Sequence, residues 1–448
     1  MKELWLGIDC ATQSVRGTLI DSSRRIYFRT SEDLAPVERG ADGRLTQDPQ
    51  SWVSAIEKVI AASVQCATRD GYTVAALAIS ATSGTFVLTD IGGDPIAPAA
   101  MYNDGRADNP LARAAAIVEE KGQGRYLFAH TPEFVVSYLS GKKLQEIPTD
   151  WSHALKTGVD LRNGDWSDSA RNQAKELNVW LPDLVPPGTL LGKTLHDCIP
   201  IYSAMTDGCT AQISVGSSAL GSAVTTLGTT MVIKIVSPQE VHGPGFYSHL
   251  LPGNRWLTGG ASNLGGISFS AVQGDIKSWD QRADEYGPSS TVLYPLIGVG
   301  ERFPIANKEM RRTFTSAPLD EVDDYRATLE GIAFAERLAY QTLADAGAPL
   351  THQLFTVGGG ARSRIWNTIR ATVLNRTISI VQDTGSDIGA AMIASAASQG
   401  GELAGGLDTF NSSTIEQIEP QSDQISIYEE KYQEFLKLIN PLQSQEIG

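Results

Sequence analysis

Two aspartates in the sequence follow apolar runs and precede small or hydroxyl residues. Asp9 ends the first apolar run of "LWLGIDCATQSVRGTLID" (residues 4–21), and Ala11 and Thr12 follow it. One interpretation is a hairpin turn, since Asp and Thr stabilise turns with their own side chains. The other is a turn whose N–H groups and hydroxyls face an anion while the carboxylate holds a hydrated metal ion. The segment by itself leaves both interpretations open.

The second aspartate lies in "AMTDGCTAQ" (residues 204–212), after an apolar segment and before a predicted helix. Asp207 could simply cap that helix, because Asp is favoured at the N-cap. An acid at a helix start is also held ionised and in a fixed position, which a general base for a hydroxyl group requires. The two roles are compatible, so Asp207 is a candidate catalytic base.

Two turns that contain glycine are candidate phosphate sites. Gly358–Gly360 lie between a predicted strand and a predicted helix, and "LGTT" (residues 227–230) places one glycine amide and two hydroxyls at a hairpin tip. A plain tight turn is the alternative for each, since glycine admits positive φ as well as close backbone approach. Neither segment fits GxxxxGK[ST] or GxGxxG. The pattern therefore favours phosphate binding by two facing hairpins without a lysine.

Polar residues also follow two further apolar stretches, in "ISATSGT" (residues 79–85) and "MYNDGRAD" (residues 101–108). Open α/β sheets bind ligands at such positions, just beyond the ends of their strands. Ser83 could instead be a turn former, and Asp104 with Arg106 could be a surface ion pair. Both interpretations stay open at this point.

The first half of the sequence predicts a strand, a turn, a second strand and a third strand near residues 25–30. Asp48 and Pro49 then start a helix whose apolar residues recur at helical spacing. The apolar run at residues 73–80 has the length of a buried parallel strand, and residues 85–90 are predicted to be its hairpin partner. This order predicts an α/β sheet.

The second half repeats the pattern of the first. Residues 222–237 again predict strand, polar turn and strand, and helices are predicted over 324–346 and 386–397. Between the halves the prolines of residues 180–192 predict a loop. The repeated pattern predicts two similar α/β domains that face each other, each presenting a hairpin turn to a cleft.

Composition limits the possible partners and compartment. The chain has 448 residues and a net charge of −15, without a basic run, which argues against nucleic acid as a partner. No apolar run approaches the ~18 residues of a membrane span, and the start predicts no secretory signal. The four cysteines are scattered, without a CxxC pair, and the histidines form no metal-ligand spacing. We therefore expect a cytoplasmic protein with reduced thiols.

Taken together and in order, these segments resemble the FGGY family of carbohydrate kinases. The resemblance extends nearly from end to end and is closest to the short pentulose-kinase branch. The segments that carry it are "GIDCATQSVR", "ISATSGTFVLTD", "YNDGRA", "MTDG", "TTLGTT", "GGASNLGG", "GERFP", "TLEGIAFAERLAY", "TVGGGARSRIWNTIRA" and "SDIGAAMIASAA". Two features depart from the family pattern. Ala11 stands where the family has glycine, and the segment between Tyr102 and Asp150 is short and lacks the family's signature with lysine and tryptophan.

The resemblance implies two ribonuclease H-like domains of the actin and hexokinase type flanking a cleft. Residues 1–220 would form the sugar-side domain and residues 221–448 the nucleotide-side domain. It implies ATP and Mg²⁺ as cofactors. Asp9 would bind the metal ion through water, and Asp207 would also lie toward the metal ion. The residues implied for binding ATP are Ala11, Thr12, Gln13, Gly228, Thr229, Thr230, Gly358, Gly359, Gly360 and Ala361.

The resemblance also implies how the acceptor is bound and activated. Asp207 would take the proton of the attacking hydroxyl, and Ser83, Asn103 and Asp104 would hydrogen-bond other sugar hydroxyls. The expected acceptor is a five-carbon ketose, with D-ribulose ahead of D-xylulose. The expected partners are the sugar and ATP only, without nucleic acid or membrane, and the expected assembly is a monomer or a homodimer.

Two other classes of protein share this fold and remain alternatives. One is an actin-like or chaperone-like ATPase, which has no use for Asp207 together with the sugar-side segments. The other is a non-catalytic sugar-binding protein, against which the presence of both Asp9 and Asp207 argues, although fold alone does not decide function.

Overall fold

The computed structural model describes residues 2–443. It divides by internal contacts into two units. The first comprises the chain up to Ser217 together with Leu250–Gly253 and Asp383–Asn411. The second comprises Ser218–His249, Asn254–Gln382 and the chain from Ser412 onward.

The first unit contains most of the short strands of the chain. Its strands are β1 (Lys2–Cys10), β2 (Ser14–Ile20), β3 (Ile26–Asp33), β4 (Glu38–Arg39), β5 (Leu45–Gln47), β6 (Tyr72–Ala81), β7 (Phe86–Thr89), β8 (Ala99–Ala100), β9 (Tyr126–His130), β10 (Thr149–Asp150), β11 (Val159–Asp160), β12 (Asp165–Trp166), β13 (Val179–Trp180), β14 (Leu184–Val185), β15 (Leu190–Lys193) and β16 (Pro200–Ser203). Its first six helices are α1 (Pro49–Arg69), α2 (Pro110–Lys121), α3 (Thr131–Ser140), α4 (Trp151–Gly158), α5 (Asp168–Glu176) and α6 (Asp207–Ile213). A 3-10 helix covers Leu144–Glu146.

The second unit contains the long helices of the C-terminal half, and of its strand β19 the last two residues are grouped with the first unit. Its strands are β17 (Ala223–Leu227), β18 (Met231–Ser237), β19 (Phe246–Leu251), β20 (Arg255–Ser262), β21 (Leu293–Tyr294), β22 (Thr313–Phe314), β23 (Leu354–Val357), β24 (Ile378–Val381) and β25 (Thr414–Ile418). Its helices are α7 (Ile276–Tyr286), α8 (Glu321–Asp345), α9 (Arg364–Leu374) and α12 (Ile425–Gln443), with 3-10 helices at Gly266–Phe269 and Gly359–Arg362. The intervening helices α10 (Ser386–Ser398) and α11 (Leu403–Leu407) belong to the first unit.

The main sheets of the two units share one topology. The first is ordered β15-β16-β6-β1-β2-β3, and the second is ordered β19-β20-β18-β17-β23-β24-β25. In each, an antiparallel hairpin (β1–β2 or β17–β18) pairs on one side with an antiparallel third strand. On the other side the hairpin pairs with one parallel strand, β6 or β23, which pairs in turn with a second parallel strand, β16 or β24. The sequence repetition therefore corresponds to a repeated α/β unit, and the predicted α/β class is confirmed.

Most predicted elements lie where the sequence placed them. Asp48 caps α1 by accepting a hydrogen bond from the N–H of Gln50 at 3.0 Å, and Pro49 is the first helical residue. The prediction for residues 85–90 is wrong in one respect. The strand β7 forms, but it pairs with β8 and β9 in a second sheet and not with β6. An apolar run indicates a strand without specifying its partner.

The sequence predicts a single domain boundary at residue 220. The structure differs in one segment, because Asp383–Asn411, which include α10, pack within the first unit. Glycines permit this close packing. A Cβ atom on Gly7 of β1 would lie 1.8 Å from the carbonyl oxygen of Asp387, and one on Gly389 would lie 1.9 Å from that of Thr210 in α6. The two glycines therefore bring α10 directly against β1 and α6. The domain boundary itself stays a prediction.

Each unit has its own apolar core. In the first, Trp52 and Phe134 pack edge-to-face beneath the main sheet. In the second, Phe334 packs against Tyr428, Tyr432 and Phe435 of the C-terminal helix. No helix among residues 2–443 is long and apolar enough to cross a membrane.

Candidate active site

Three neighbouring parallel strands of the first unit end at one edge of the main sheet. Asp9 of β1 is in register with Ser80 of β6, and Ser203 of β16 is in register with Ile79 of β6. The chain continues from these strands into Ala11–Gln13, Ser83 and Asp207. Ligands of open α/β sheets bind at this carboxyl edge. The structure thus brings three of the predicted site segments to one edge of one unit.

Asp9 is a buried carboxylate with one free oxygen. It is 1% exposed, and its Oδ2 pairs with Arg16, which stands opposite it in β2. Its Oδ1 has no hydrogen-bond partner among the described residues. Burial raises the pKa of Asp9 to about 6 although Arg16 lowers it, and the charges of Asp207 and Asp387 raise it further. An unpartnered carboxylate oxygen in this environment fits an interaction with water on a cation.

Asp207 is partly exposed and held in place by its backbone. It is the first residue of α6, whose N-cap is Thr206, so the helix starts one residue earlier than an N-cap at Asp207 would require. Its Oδ1 accepts a hydrogen bond from the N–H of Gly208 at 2.6 Å, and its carbonyl oxygen accepts one from Ser386 at 3.0 Å. The second carboxylate oxygen is left for a ligand, as a general base requires.

A buried network fixes the residue before Asp207. The N–H of Thr206 donates to Ser152 Oγ at 2.9 Å, and Ser152 Oγ donates to Asp150. Asp150 also caps α4 by accepting from the N–H of Ser152 at 2.8 Å, and it pairs with His153. Burial by itself lowers the pKa of His153, but the charge of Asp150 outweighs this and raises it. This network positions the start of α6.

Asp387 is a third carboxylate near Asp9. It lies in the first turn of α10, is 9% exposed and accepts a hydrogen bond from Thr18 of β2. Its charge contributes to the raised pKa of Asp9. Within residues 2–443, no three His, Cys, Asp or Glu side chains are arranged to hold a metal ion by themselves. The carboxylates could therefore bind a cation only with the help of water or a ligand.

The predicted sugar-side residues differ in their availability. Ser83 is buried, and its Oγ has no hydrogen-bond partner among the described residues. Its carbonyl oxygen accepts from Lys156 at 3.2 Å. Asn103 is exposed. Ser83 therefore has a buried hydroxyl that the described residues leave unsatisfied, and Asn103 has an exposed side chain.

Asp104 differs from its predicted role in that both its oxygens are already bonded. They accept from the Arg106 guanidinium at 2.7–3.2 Å and from the Arg106 N–H at 3.0 Å. Burial raises the pKa of Asp104, but these bonds bring it below its ordinary value. The pair is buried and not on the surface, since the two side chains are 8% and 0% exposed. Asp104 thus holds Arg106 in place, and direct sugar contact by Asp104 stays a prediction.

The turn at Ala11–Gln13 is anchored by its backbone. The N–H of Ala11 donates to Ser14 at 3.1 Å, and the N–H of Leu34 donates to the carbonyl oxygen of Gln13 at 2.9 Å. Gln47 donates to the carbonyl oxygen of Thr12 at 3.0 Å. These bonds occupy the carbonyl groups of Thr12 and Gln13, whose side chains are half-buried and exposed, respectively.

The two predicted phosphate turns of the second unit lie side by side. The hairpin tip Gly228–Thr230 follows β17, and Gly358–Ala361 follow β23, which is parallel to β17. Gly358 has φ 94°, and a Cβ atom on it would lie 2.5 Å from the carbonyl oxygen of Leu227. The hairpin is closed by a bond of 3.1 Å from the N–H of Gly228 to Thr230. Both turns therefore end neighbouring strands at one edge of this sheet.

The matches to known proteins agree with this geometry. Residues 4–150 match the N-terminal domain and residues 223–398 the C-terminal domain of the FGGY family of carbohydrate kinases. The chain belongs to the FGGY family and is a carbohydrate kinase. It is 23% identical over 440 residues to a xylulose kinase of Staphylococcus epidermidis, covering 88% of each chain.

Solved structures show the same fold. A xyloylose kinase from Brucella ovis matches with TM-score 0.87 at 22% identity, over 99% of this chain and 100% of that one. A gluconate kinase from Lactobacillus acidophilus matches with TM-score 0.85 at 18% identity, over 99% of each chain. The expected family and enzyme class are thus confirmed.

Sequence reasoning did not identify three groups that surround the predicted residues. They are Arg16, Asp387 and the network of Asp150 with Ser152. Arg16 could have been identified from the sequence, because a tight hairpin after β1 places Arg16 of β2 opposite Asp9, where the two charges can pair. Nothing local marked Asp387 or Ser152, because long-range packing brings them to the site.

Proposed function

We propose that this kinase transfers the γ-phosphate of ATP to a hydroxyl group of a five-carbon ketose. The observation that carries the proposal is the arrangement of Asp9, Ser83 and Asp207 after three neighbouring parallel strands. It places a buried carboxylate, an unpartnered hydroxyl and an accessible carboxylate at one edge. A phosphoryl transfer site needs these groups mainly for positioning and charge.

Asp207 would act as the general base. The acceptor hydroxyl gives its proton to the carboxylate as its oxygen attacks the γ-phosphorus, and ADP leaves with the electrons of the broken P–O bond. The bonds from Gly208 and Ser386 would keep Asp207 in position during this step. Asp104 would contribute to the sugar side through Arg106, while Ser83 and Asn103 would hydrogen-bond the sugar directly.

The ATP contacts are proposed separately for each unit. In the first unit, Ala11, Thr12 and Gln13 would contact phosphate through backbone and side-chain donors. In the second unit, Gly228–Thr230 and Gly358–Ala361 would contact the nucleotide, since glycine lets the backbone approach closely. Neither unit offers a lysine at these turns.

Mg²⁺ fits the residues of the first unit. Asp9 and Asp207 would lie toward the ion, and the free Oδ1 of Asp9 would accept a hydrogen bond from its water. When bound, the ion supplies neutralisation of phosphate charge.

We propose D-xylulose as the preferred acceptor, because the relatives at 23% identity are named xylulose kinases. The expectation that D-ribulose comes first has no support from these names. The site's buried hydrogen-bonding groups should disfavour any acceptor that leaves them unpaired, since such a group costs ~1–3 kcal/mol.

The proposal is tested by kcat/KM with ATP and Mg²⁺ for D-xylulose, D-ribulose, L-ribulose, glycerol and gluconate. We expect the pentuloses at the top and D-xylulose first. Glycerol or gluconate at the top would refute the pentulose assignment.

A substitution links the ranking to the site. Ser83→Ala should raise KM for the pentulose roughly threefold to tenfold and leave KM for ATP unchanged, because only the sugar loses a partner. Ser137→Ala, which removes a hydroxyl bonded to its own helix at 2.7 Å, is the matched control. An equal effect of both variants would remove Ser83 from the sugar site.

A further inference from the structure

A fully buried ion pair joins two helices of the second unit. Arg370 of α9 donates to both carboxylate oxygens of Glu336 in α8, at 2.6 and 2.7 Å, and both side chains are 0% exposed. Burying two charges is unfavourable unless further hydrogen bonds satisfy them. The further hydrogen bonds of Glu336 and Arg370 therefore show which parts of the second unit the ion pair connects.

One branch leads to the glycine turn. Arg370 Nη1 donates to Asn367 Oδ1 at 2.7 Å, and Asn367 Nδ2 donates to the carbonyl oxygens of Ala361 and Ser363, both at 2.8 Å. Arginine only donates and carbonyl oxygens only accept, so the orientation of this amide is fixed by its partners. Asn367 thus connects Arg370 by hydrogen bonds to the end of the turn Gly358–Ala361.

The other branch leads to the strands that carry both turns. Thr225 of β17 donates to Glu336, and Arg370 Nη1 donates to Thr356 of β23 at 3.0 Å. Thr356 in turn donates to the carbonyl oxygen of Thr225 at 3.3 Å. Thr225 lies two residues before Leu227, the last residue of β17. Thr356 lies two residues before Gly358, the first residue of the glycine turn.

The two turns have little room to move against each other. A Cβ atom on Gly360 would lie 2.8 Å from Cβ of Leu227 and 2.5 Å from the Trp366 ring. A small shift of α9 would therefore displace the glycine turn relative to the β17–β18 hairpin.

We propose that Glu336, Arg370 and Asn367 are positioning residues that fix the glycine turn relative to the β17–β18 hairpin for nucleotide binding. This inference rests on the proposed function, in which both turns contact ATP. Glu336, Arg370 and Asn367 all belong to the second unit, whereas the residues that we assign to the sugar belong to the first, so we expect the effect to be confined to the nucleotide.

The test uses the full-length chain with Asn367→Asp, which keeps the size and the acceptor for Arg370 but removes both donors to the turn. Asn375→Asp, the same change at the exposed end of α9, is the matched control. We measure Kd for ADP by calorimetry, KM for ATP, KM for the pentulose and Tm. We expect Kd for ADP and KM for ATP to rise about tenfold in Asn367→Asp only, with KM for the pentulose within twofold.

A second variant covers the case in which Asn367→Asp does not fold. Glu336→Leu combined with Arg370→Met replaces the ion pair by apolar side chains, a change that buried pairs often tolerate. It should bind ADP about tenfold more weakly than the wild type at a similar Tm. A lower Tm with unchanged Kd for ADP, in whichever variant folds, would show a merely structural role and overturn the inference. If the wild type itself does not bind ADP, the proposed function fails first.

Discussion

Ser152 Oγ accepts a hydrogen bond of 2.9 Å from the backbone N–H of Thr206, the residue immediately before Asp207. Ser152 belongs to α4 and Thr206 caps α6, so a single buried hydroxyl connects the two helix starts. Because Ser152 also donates to the N-cap residue Asp150, the candidate base is held by a chain of bonds that begins in another helix.

Ser152→Ala should lower kcat roughly tenfold and leave KM for ATP unchanged. The substitution leaves the Thr206 N–H without an acceptor and frees the loop before Asp207, and small misplacements of a catalytic group reduce rate strongly. Steady-state kinetics checks this. Ser63→Ala, a fully buried serine bonded within α1, is the control. Equal kcat values for the two variants would contradict the positioning role.

Asp207→Asn should reduce phosphoryl transfer ~10²–10⁴-fold, the usual contribution of a general base. ATP binding measured by calorimetry without Mg²⁺ should persist, because Asp207 would meet the acceptor directly and the nucleotide only through the ion. Asp168→Asn makes the same change at an exposed position in the first turn of α5 and should have no effect. A kcat close to that of the wild type in Asp207→Asn would exclude Asp207 as the base.

The raised pKa of Asp9 predicts a pH-dependent stability. In the folded protein burial raises the pKa of Asp9 from its ordinary value of 3.8 to about 6, so the native state binds the proton more tightly than the unfolded state. The contribution of Asp9 is therefore neutral below pH 3.8 and becomes increasingly unfavourable as pH rises from 3.8 to 6, reaching ~3 kcal/mol at higher pH.

Asp9→Asn removes this titration. Relative to the wild type, its free energy of unfolding should increase between pH 4 and pH 7 in the absence of nucleotide and Mg²⁺. Urea unfolding at a series of pH values measures it, with exposed Asp33→Asn as the control. A difference between wild type and Asp9→Asn that is constant over this range would contradict the raised pKa.

Ala11→Gly should be tolerated and should lower KM for ATP, because glycine lets the backbone of this turn approach phosphate more closely. The substitution should lower stability by up to ~1 kcal/mol through the entropy of the unfolded chain. Thermal unfolding and ATP kinetics measure both effects. A loss of activity greater than tenfold would show that Ala11 is required by this turn.

Much of the fold follows from local patterns. The cap at Asp48 and the alternation of the two hairpins identified α1, β1–β2 and β17–β18, because these signals act over a few residues. The partner of β7 could not be read in the same way, since strand pairing depends on where the chain returns. The placement of α10 depends on close contacts at Gly7 and Gly389, which are far apart in sequence.

The sequence predicts those parts of the candidate site in which an acidic residue follows an apolar run. Asp9 and Asp207 were identified from that position, since strand ends meet at one edge of a sheet. Asp104 shows the limit of this reasoning, because the sequence left open both a sugar-binding role and an ion pair with Arg106. Only the structure shows that Arg106 bonds to both oxygens of Asp104 and that the pair is buried. The same holds for Asn367, whose role depends on a turn it meets through folding.

The central claim is transfer of phosphate to a sugar, and ³¹P NMR of the enzyme with ATP, Mg²⁺ and D-xylulose tests it most directly. The account predicts that the γ-phosphate signal is replaced by that of a sugar phosphate in equal amount to ADP. It also predicts little orthophosphate and no turnover when the sugar is omitted. Orthophosphate released at the same rate with and without any pentulose would contradict the account and indicate an ATPase.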